Sequence, residues 1–96
     1  VTLAQPARRI IGLAPDGVEL LYAAGAGEFL VGTVPQADYP PEARRVPRVG
    51  SYSNPDEEAI IACKPDLVVL SFGNPQPLTE RLRRRGPPVY VVNARR

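Results

Sequence analysis

Histidine is absent from these 96 residues, and that absence excludes more chemistry than any single motif suggests. Without imidazole there is no ordinary general base for a nucleophilic triad, and the usual zinc ligand sets lose a member. Cysteine occurs once, at Cys63, so no intrachain disulfide can form. Cys63 sits in an apolar stretch and reads as a small core residue, with no base at hand to activate a thiol. Lysine also occurs once, at Lys64; arginine supplies nearly all of the positive charge, and the net charge is +2. Long apolar runs are missing, so no segment can span a bilayer as a helix. The opening VTLAQPARR lacks the apolar core of a signal peptide, and a signal already removed would leave no trace; location stays open.

What is present describes one small globular domain. The chain is 44% hydrophobic and 23% charged, ordinary values for a folded protein. A chain this short buries roughly 60 to 70% of its unfolded surface, enough for one core. Four arginines cluster at Arg81, Arg83, Arg84 and Arg85. They fall at the end of a predicted helix before Gly86, where cations complement the helix dipole and solvate a face. That reading is preferred to a phosphate-binding patch, and no nucleic-acid partner is expected.

Strand and helix patterns alternate. Arg9 to Leu13 reads as a buried strand, followed by a helix from Gly17 to Ala24 with Asp16 as its cap and Glu19 completing a capping box. Gly25 and Gly27 close that helix, and Phe29 to Val34 forms the next strand. Prolines at 35, 40, 41 and 47 make the segment from Pro35 to Ser53 a long loop without regular structure over most of its length. A second helix is expected with Asn54 as cap, Pro55 at the first position and Asp56, Glu57 and Glu58 in a negative first turn; Ala59, Ile60, Ile61 and Cys63 make its inner face. Leu67 to Leu70 is an apolar strand of the kind covered on both faces. A turn at Gly73 and Asn74 leads to a third helix, capped by Asn74, with Leu78 and Leu82 pointing inward, and Val89 to Val92 closes the sheet. Two strand-helix-strand units thus repeat, from Arg9 to Val34 and from Asp66 to Val92. The fold class is α/β: three layers, a mostly parallel sheet with helices on both faces. Residues 1–8 read as an N-terminal extension and 9–96 as the lobe itself.

In such a sheet ligands meet the loops beyond the carboxyl ends of the strands. Those loops offer Pro15, Asp16, Gln36, Asp38, Tyr39, Tyr52, Phe72 and Asn74, flat apolar surface mixed with amides and carboxylates. The set suits a large, partly apolar ligand held by packing and a few hydrogen bonds. It does not suit bond breaking: Asp16 and Asp38 are better explained as a cap and a turn residue than as an acid–base pair, and no nucleophile, base and orienting group assemble. LAPDG also lacks the glycines of a phosphate loop. Tyr52 and Phe72 remain equally readable as core. No catalytic residue, cofactor or metal ligand is expected.

RIIGLAPDGVELLYAAG, then ADYPPEA, then the helix ending in KPDLVV resemble the amino-terminal lobe of periplasmic substrate-binding proteins for iron complexes and cobalamin. DYPPEA favours the cobalamin branch, which serves vitamin-uptake ABC transporters. The resemblance runs from Arg9 to about Ala94. It implies a two-lobed, non-enzymatic carrier that sandwiches its ligand between lobes joined by a rigid helix and delivers it to a membrane permease. This chain would be about half of such a protein, a single lobe ending where the linking helix should begin. Its partners would be the ligand, the permease, and a C-terminal lobe or a second copy. Location would be periplasmic or extracellular, with a lipid anchor on the full-length precursor left open.

Carried over by position, the resemblance puts Pro15 and Asp16 where the first loop touches the ligand. Tyr52 falls where an aromatic residue, commonly tryptophan, faces the corrin ring. Gln36 stands where tyrosine is common and Ser71 where another tryptophan can sit, and Phe72 completes the ligand face. Glu58 matches an exposed glutamate that docks on permease arginines; the alternative is that Glu57 and Glu58 merely favour the helix terminus, at about 0.3 to 1 kcal/mol each. Two other functions stay open. One is a haem or ferric-siderophore binder of the same fold, with Tyr52 or Arg48 on the iron complex. The other is a stand-alone interaction module using the uncovered cleft edge.

Overall fold

The computed structural model describes residues 8–37, 40–71 and 74–92. Four parallel strands form its sheet: β1 (Ile10–Gly12), β2 (Leu30–Gly32), β3 (Leu67–Ser71) and β4 (Val89–Val92), in the order β2-β1-β3-β4. Three helices connect them, α1 (Pro15–Ala23), α2 (Glu57–Ala62) and α3 (Gln76–Arg84). Ile10 pairs with both Leu30 and Leu67, and Val68 to Ser71 pair in step with Val89 to Val92. The expected extension 1–8 lies outside the described residues except for Arg8.

Layering follows from strand order. The step from β1 to β2 runs one way across the sheet and the steps to β3 and β4 run the other way, so right-handed crossovers put α1 on one face and α2 with α3 on the other. Packing agrees. Gly17 of α1 lies so close to β3 that an added Cβ would come within 2.9 Å of Val69 Cγ1. On the opposite face, Glu57 of α2 pairs with Arg81 of α3 at 2.7 Å. Between the layers lie the fully buried side chains Ile11, Leu13, Val18, Val34, Val49, Ile60, Val68, Leu70, Leu78 and Leu82. Leu78 and Leu82, buried as their spacing requires, contribute about 1.5 to 3 kcal/mol each by leaving water. Thr33 is also buried, and its Oγ1 has no hydrogen-bond partner among the described residues.

Three helix starts differ from expectation. Ala14, not Asp16, stands at the α1 cap position with no side-chain cap bond, and Pro15 opens the helix. The Asp16 carboxylate instead accepts from the adjacent Gly17 N–H at 2.9 Å, so the capping box does not form. In α2 the cap is Asp56, which accepts from Ala59 N–H at 3.2 Å. Asn54 is used two residues earlier, in a turn where Ser51 and Asn54 exchange backbone bonds at 3.2 Å. Pro75 occupies the α3 cap position, and Asn74 is diverted elsewhere. The α1 terminus does follow its glycine: Gly25 has φ of +82°, and Ala26 N–H donates to Leu21 O while Gly25 N–H donates to Tyr22 O. That pair of bonds is the Schellman arrangement, which glycine permits without a Cβ clash.

The long loop holds more structure than its prolines suggest. Pro41–Arg45 forms a 3₁₀ turn, and Thr33 bridges to Arg48 in parallel. Gly50 then bridges to Pro55, and Asp56 N–H donates to Val49 O at 2.8 Å, pinching residues 50–55 into a closed loop. Gly50 has φ of +100°, and a Cβ there would meet backbone of Asn54, Pro55 and Asp56. Only glycine closes that base without strain.

Candidate ligand-binding site at the carboxyl edge of the sheet

β1 sends its chain toward β2 and β3 sends its chain toward β4, so the carboxyl ends of β1 and β3 border the crevice where ligands of open parallel sheets bind. An open depression of about 260 Å³ lies there, lined by Pro15, Asp16, Glu19 and Tyr52. Pro15 and Asp16 are placed by the first turn of α1, and Tyr52 by the closed loop before α2.

Tyr52 is held on both sides of its backbone and at its ring. Its N–H donates to Gln36 Oε1 at 3.1 Å, and its carbonyl accepts from Asn74 Nδ2 at 2.9 Å. Its phenol oxygen lies 3.4 Å from Ser71 Oγ, either group able to donate. The structure thus brings Gln36, Tyr52 and Ser71 together, with Pro15 and Asp16 beside them. Phe72, Asp38 and Tyr39 lie outside the described residues. Arg48 turns back on its own loop, donating to the carbonyls of Arg44 at 3.1 Å and Val46 at 2.7 Å.

Sequence reasoning gave two residues of this edge other roles, Glu19 in a capping box and Asn74 as a helix cap. Glu19 lines the depression because it stands three residues after Asp16, one turn along the same helical face; that spacing was legible. Asn74 is 2% exposed, and its side chain is the tie between loops rather than a cap. No local pattern reveals this, since two of its three partners, Leu13 and Tyr52, are distant in sequence.

Glu58 stands in the first turn of α2, its side chain 79% exposed and its Oε2 accepting from Arg85 at 3.0 Å. Glu57 accepts from Arg81 at 2.7 Å and from Arg85 at 3.1 Å. Those bonds, Arg81's first, hold the Glu57 carboxyl below its ordinary value of 4.5. Among the described residues no three histidine, cysteine, aspartate or glutamate side chains gather as a metal site, and no helix is long and apolar enough to cross a membrane.

Comparison with known proteins gives the fold a lineage. The periplasmic binding protein family matches residues 10–96. The chain belongs to that family. Among its relatives, the vitamin B12-binding protein of Vibrio parahaemolyticus is 41% identical over 87 residues, covering 90% of this chain and 32% of that protein. The corresponding Pectobacterium carotovorum protein is 40% identical over 89 residues, covering 92% and 32%. The periplasmic vitamin B12 binding protein BtuF of Vibrio cholerae superposes with a TM-score of 0.88 at 40% identity, covering 93% of this chain and 35% of that one. A periplasmic heme-binding protein, RhuT of Roseiflexus sp. RS-1, gives 0.82 at 31% identity, covering 90% and 34%. The periplasmic binding protein fold expected from the sequence is therefore present, as a single lobe. The chain spans about a third of its relatives' length, where the resemblance had implied about half.

Proposed function

We propose that this chain is one lobe of the solute-binding component of an ABC importer, that it binds cobalamin or a related corrinoid without catalysis, and that it works in the periplasm. The observation that carries this reading is Tyr52, an aromatic side chain pinned beside Pro15 and Asp16 at the crevice between β1 and β3. Its ring offers a flat surface for a macrocycle, and carboxylate and amide groups around it suit peripheral amides of a corrinoid. Identity near 40% to vitamin B12-binding proteins over about nine-tenths of the chain supports the ligand class. Permease docking is assigned to Glu58, exposed on the α2 face.

A haem complex is the second reading, supported by the 31% identical heme-binding relative and by the phenol of Tyr52, a group able to ligate haem iron. Titration of the isotope-labelled chain with cyanocobalamin and with hemin, followed by amide NMR shifts, separates the two. One wall of a two-walled cleft forfeits much of the contact, so cobalamin binding on the order of 0.1 to 1 mM is expected. Shifts should centre on Asp16, Gln36, Tyr52 and Ser71. Shifts with hemin alone would transfer the assignment to haem, and none with either would remove this edge as a binding site.

A further inference from the structure

Asn74 joins three pieces of chain at one buried side chain; two of them, the closed loop and the end of β3, also meet through the Tyr52 phenol and Ser71 Oγ. Its Oδ1 accepts from Ser71 N–H at 2.9 Å, at the end of β3. Its Nδ2 donates to Leu13 O at 3.0 Å, just beyond β1, and to Tyr52 O at 2.9 Å, in the closed loop. The backbone N–H of Ser71 can only donate, which fixes which amide atom is oxygen and leaves both hydrogens of Nδ2 for the two carbonyls. The group is buried, so each bond is shielded from water and each partner would be costly to leave unpaired. Gln36, which is exposed, takes the other side of the Tyr52 backbone.

We infer that Asn74 is the positioning residue of the binding edge: it fixes the Tyr52 ring relative to the ends of β1 and β3, and so sets the shape against which a ligand packs. The ligand part of this inference rests on the cobalamin reading above; the geometric part does not. An aspartate of the same shape keeps an acceptor but sets a second oxygen against the carbonyls of Leu13 and Tyr52. The loop then loses its buried tie and Tyr52 leaves Ser71.

Two measurements on the Asn74→Asp chain test this. In the free protein, proton cross-relaxation between the Tyr52 ring and the Ser71 β-protons should disappear while methyl resonances of Leu70, Leu78 and Leu82 stay in place. With cyanocobalamin, affinity should fall about tenfold, which corresponds to about 1.4 kcal/mol. In a Tyr52→Ala background the same substitution should cost nothing further, because two residues acting through one contact are not additive. Retained Tyr52–Ser71 cross-relaxation, or a cost that adds in full to that of Tyr52→Ala, overturns the inference. If Asn74→Asp does not fold, Asn74→Ser, whose shorter side chain lacks the two amide N–H donors to Leu13 O and Tyr52 O, decides: lost cross-relaxation supports the role and an unchanged signal refutes it. If the parent chain shows no cyanocobalamin shifts, the functional reading fails, and the free-protein measurement still decides the role of Asn74.

Discussion

Asp66 explains why lysine, proline and aspartate stand together before β3. Lys64 takes φ of +52°, a left-handed turn after α2, and Pro65 prevents the helix from continuing. The Asp66 carboxylate then accepts from the N–H groups of Arg8 and Arg9, both at 2.9 Å, while its own N–H donates to Arg9 O at 2.8 Å. Arg9 Nε adds a bond to Cys63 O at 2.8 Å. The aspartate thus grips the entry to β1 as a cap grips a helix. Asp66→Ala should cost about 1 to 2 kcal/mol, the range for removing charged acceptors from backbone N–H groups. A denaturant midpoint unchanged from the parent's would refute that account. The residue types of KPD were legible, but their purpose was not, because the partners lie at the opposite end of the chain. Asn74 shares this in part, since Leu13 and Tyr52 are distant from it, whereas Asp16 is bound by the adjacent Gly17 N–H. Each is a good cap by composition, and each spends its oxygen on another donor.

At the scale of elements, α2 is short and relies on partners beyond its own turns. Asp56 caps it, and Glu57 and Glu58 in its first turn complement the dipole while reaching across to Arg81 of α3 and to Arg85 just past its end. Because hydrogen bonds from Arg81 and then Arg85 lower the Glu57 pKa on folding, the folded state binds that proton less readily than the unfolded state. The stabilisation is complete above the unfolded value of 4.5 and fades as pH falls through the folded value. Glu57→Gln should therefore lower Tm slightly at neutral pH, and its curve should merge with the parent's on the acid side. A deficit that persists undiminished at pH 2 would assign the effect to packing. Acidic and basic helix ends were legible as dipole partners; that the two clusters face each other required the strand order. The closed loop from Gly50 to Pro55 was hidden for a similar reason, since its base is made of backbone bridges.

For the molecule as a whole, hydrophobic pattern and punctuation were enough to read a three-layer parallel sheet, because every strand is apolar and every crossover carries a helix. The sheet's register and the neighbourhood of β1 and β3 were not readable, yet they set the crevice beside which Pro15, Asp16 and Tyr52 gather. Under the docking role proposed for Glu58, Glu58→Arg in a full-length carrier should reduce uptake of cyanocobalamin about tenfold or more, because it reverses the charge offered to the partner. Cyanocobalamin affinity should be unchanged, and normal uptake would release Glu58 from the docking role.

The position of β1 in the sheet also sets an order on assembly. It is made before β3, yet it is an inner strand, and one of its two edges stays open until Leu67 to Ser71 has been made. Until then three apolar residues present unpaired backbone to any passing strand. Closure of this sheet is thus a long-range event that waits on β3, in a chain whose helices form locally.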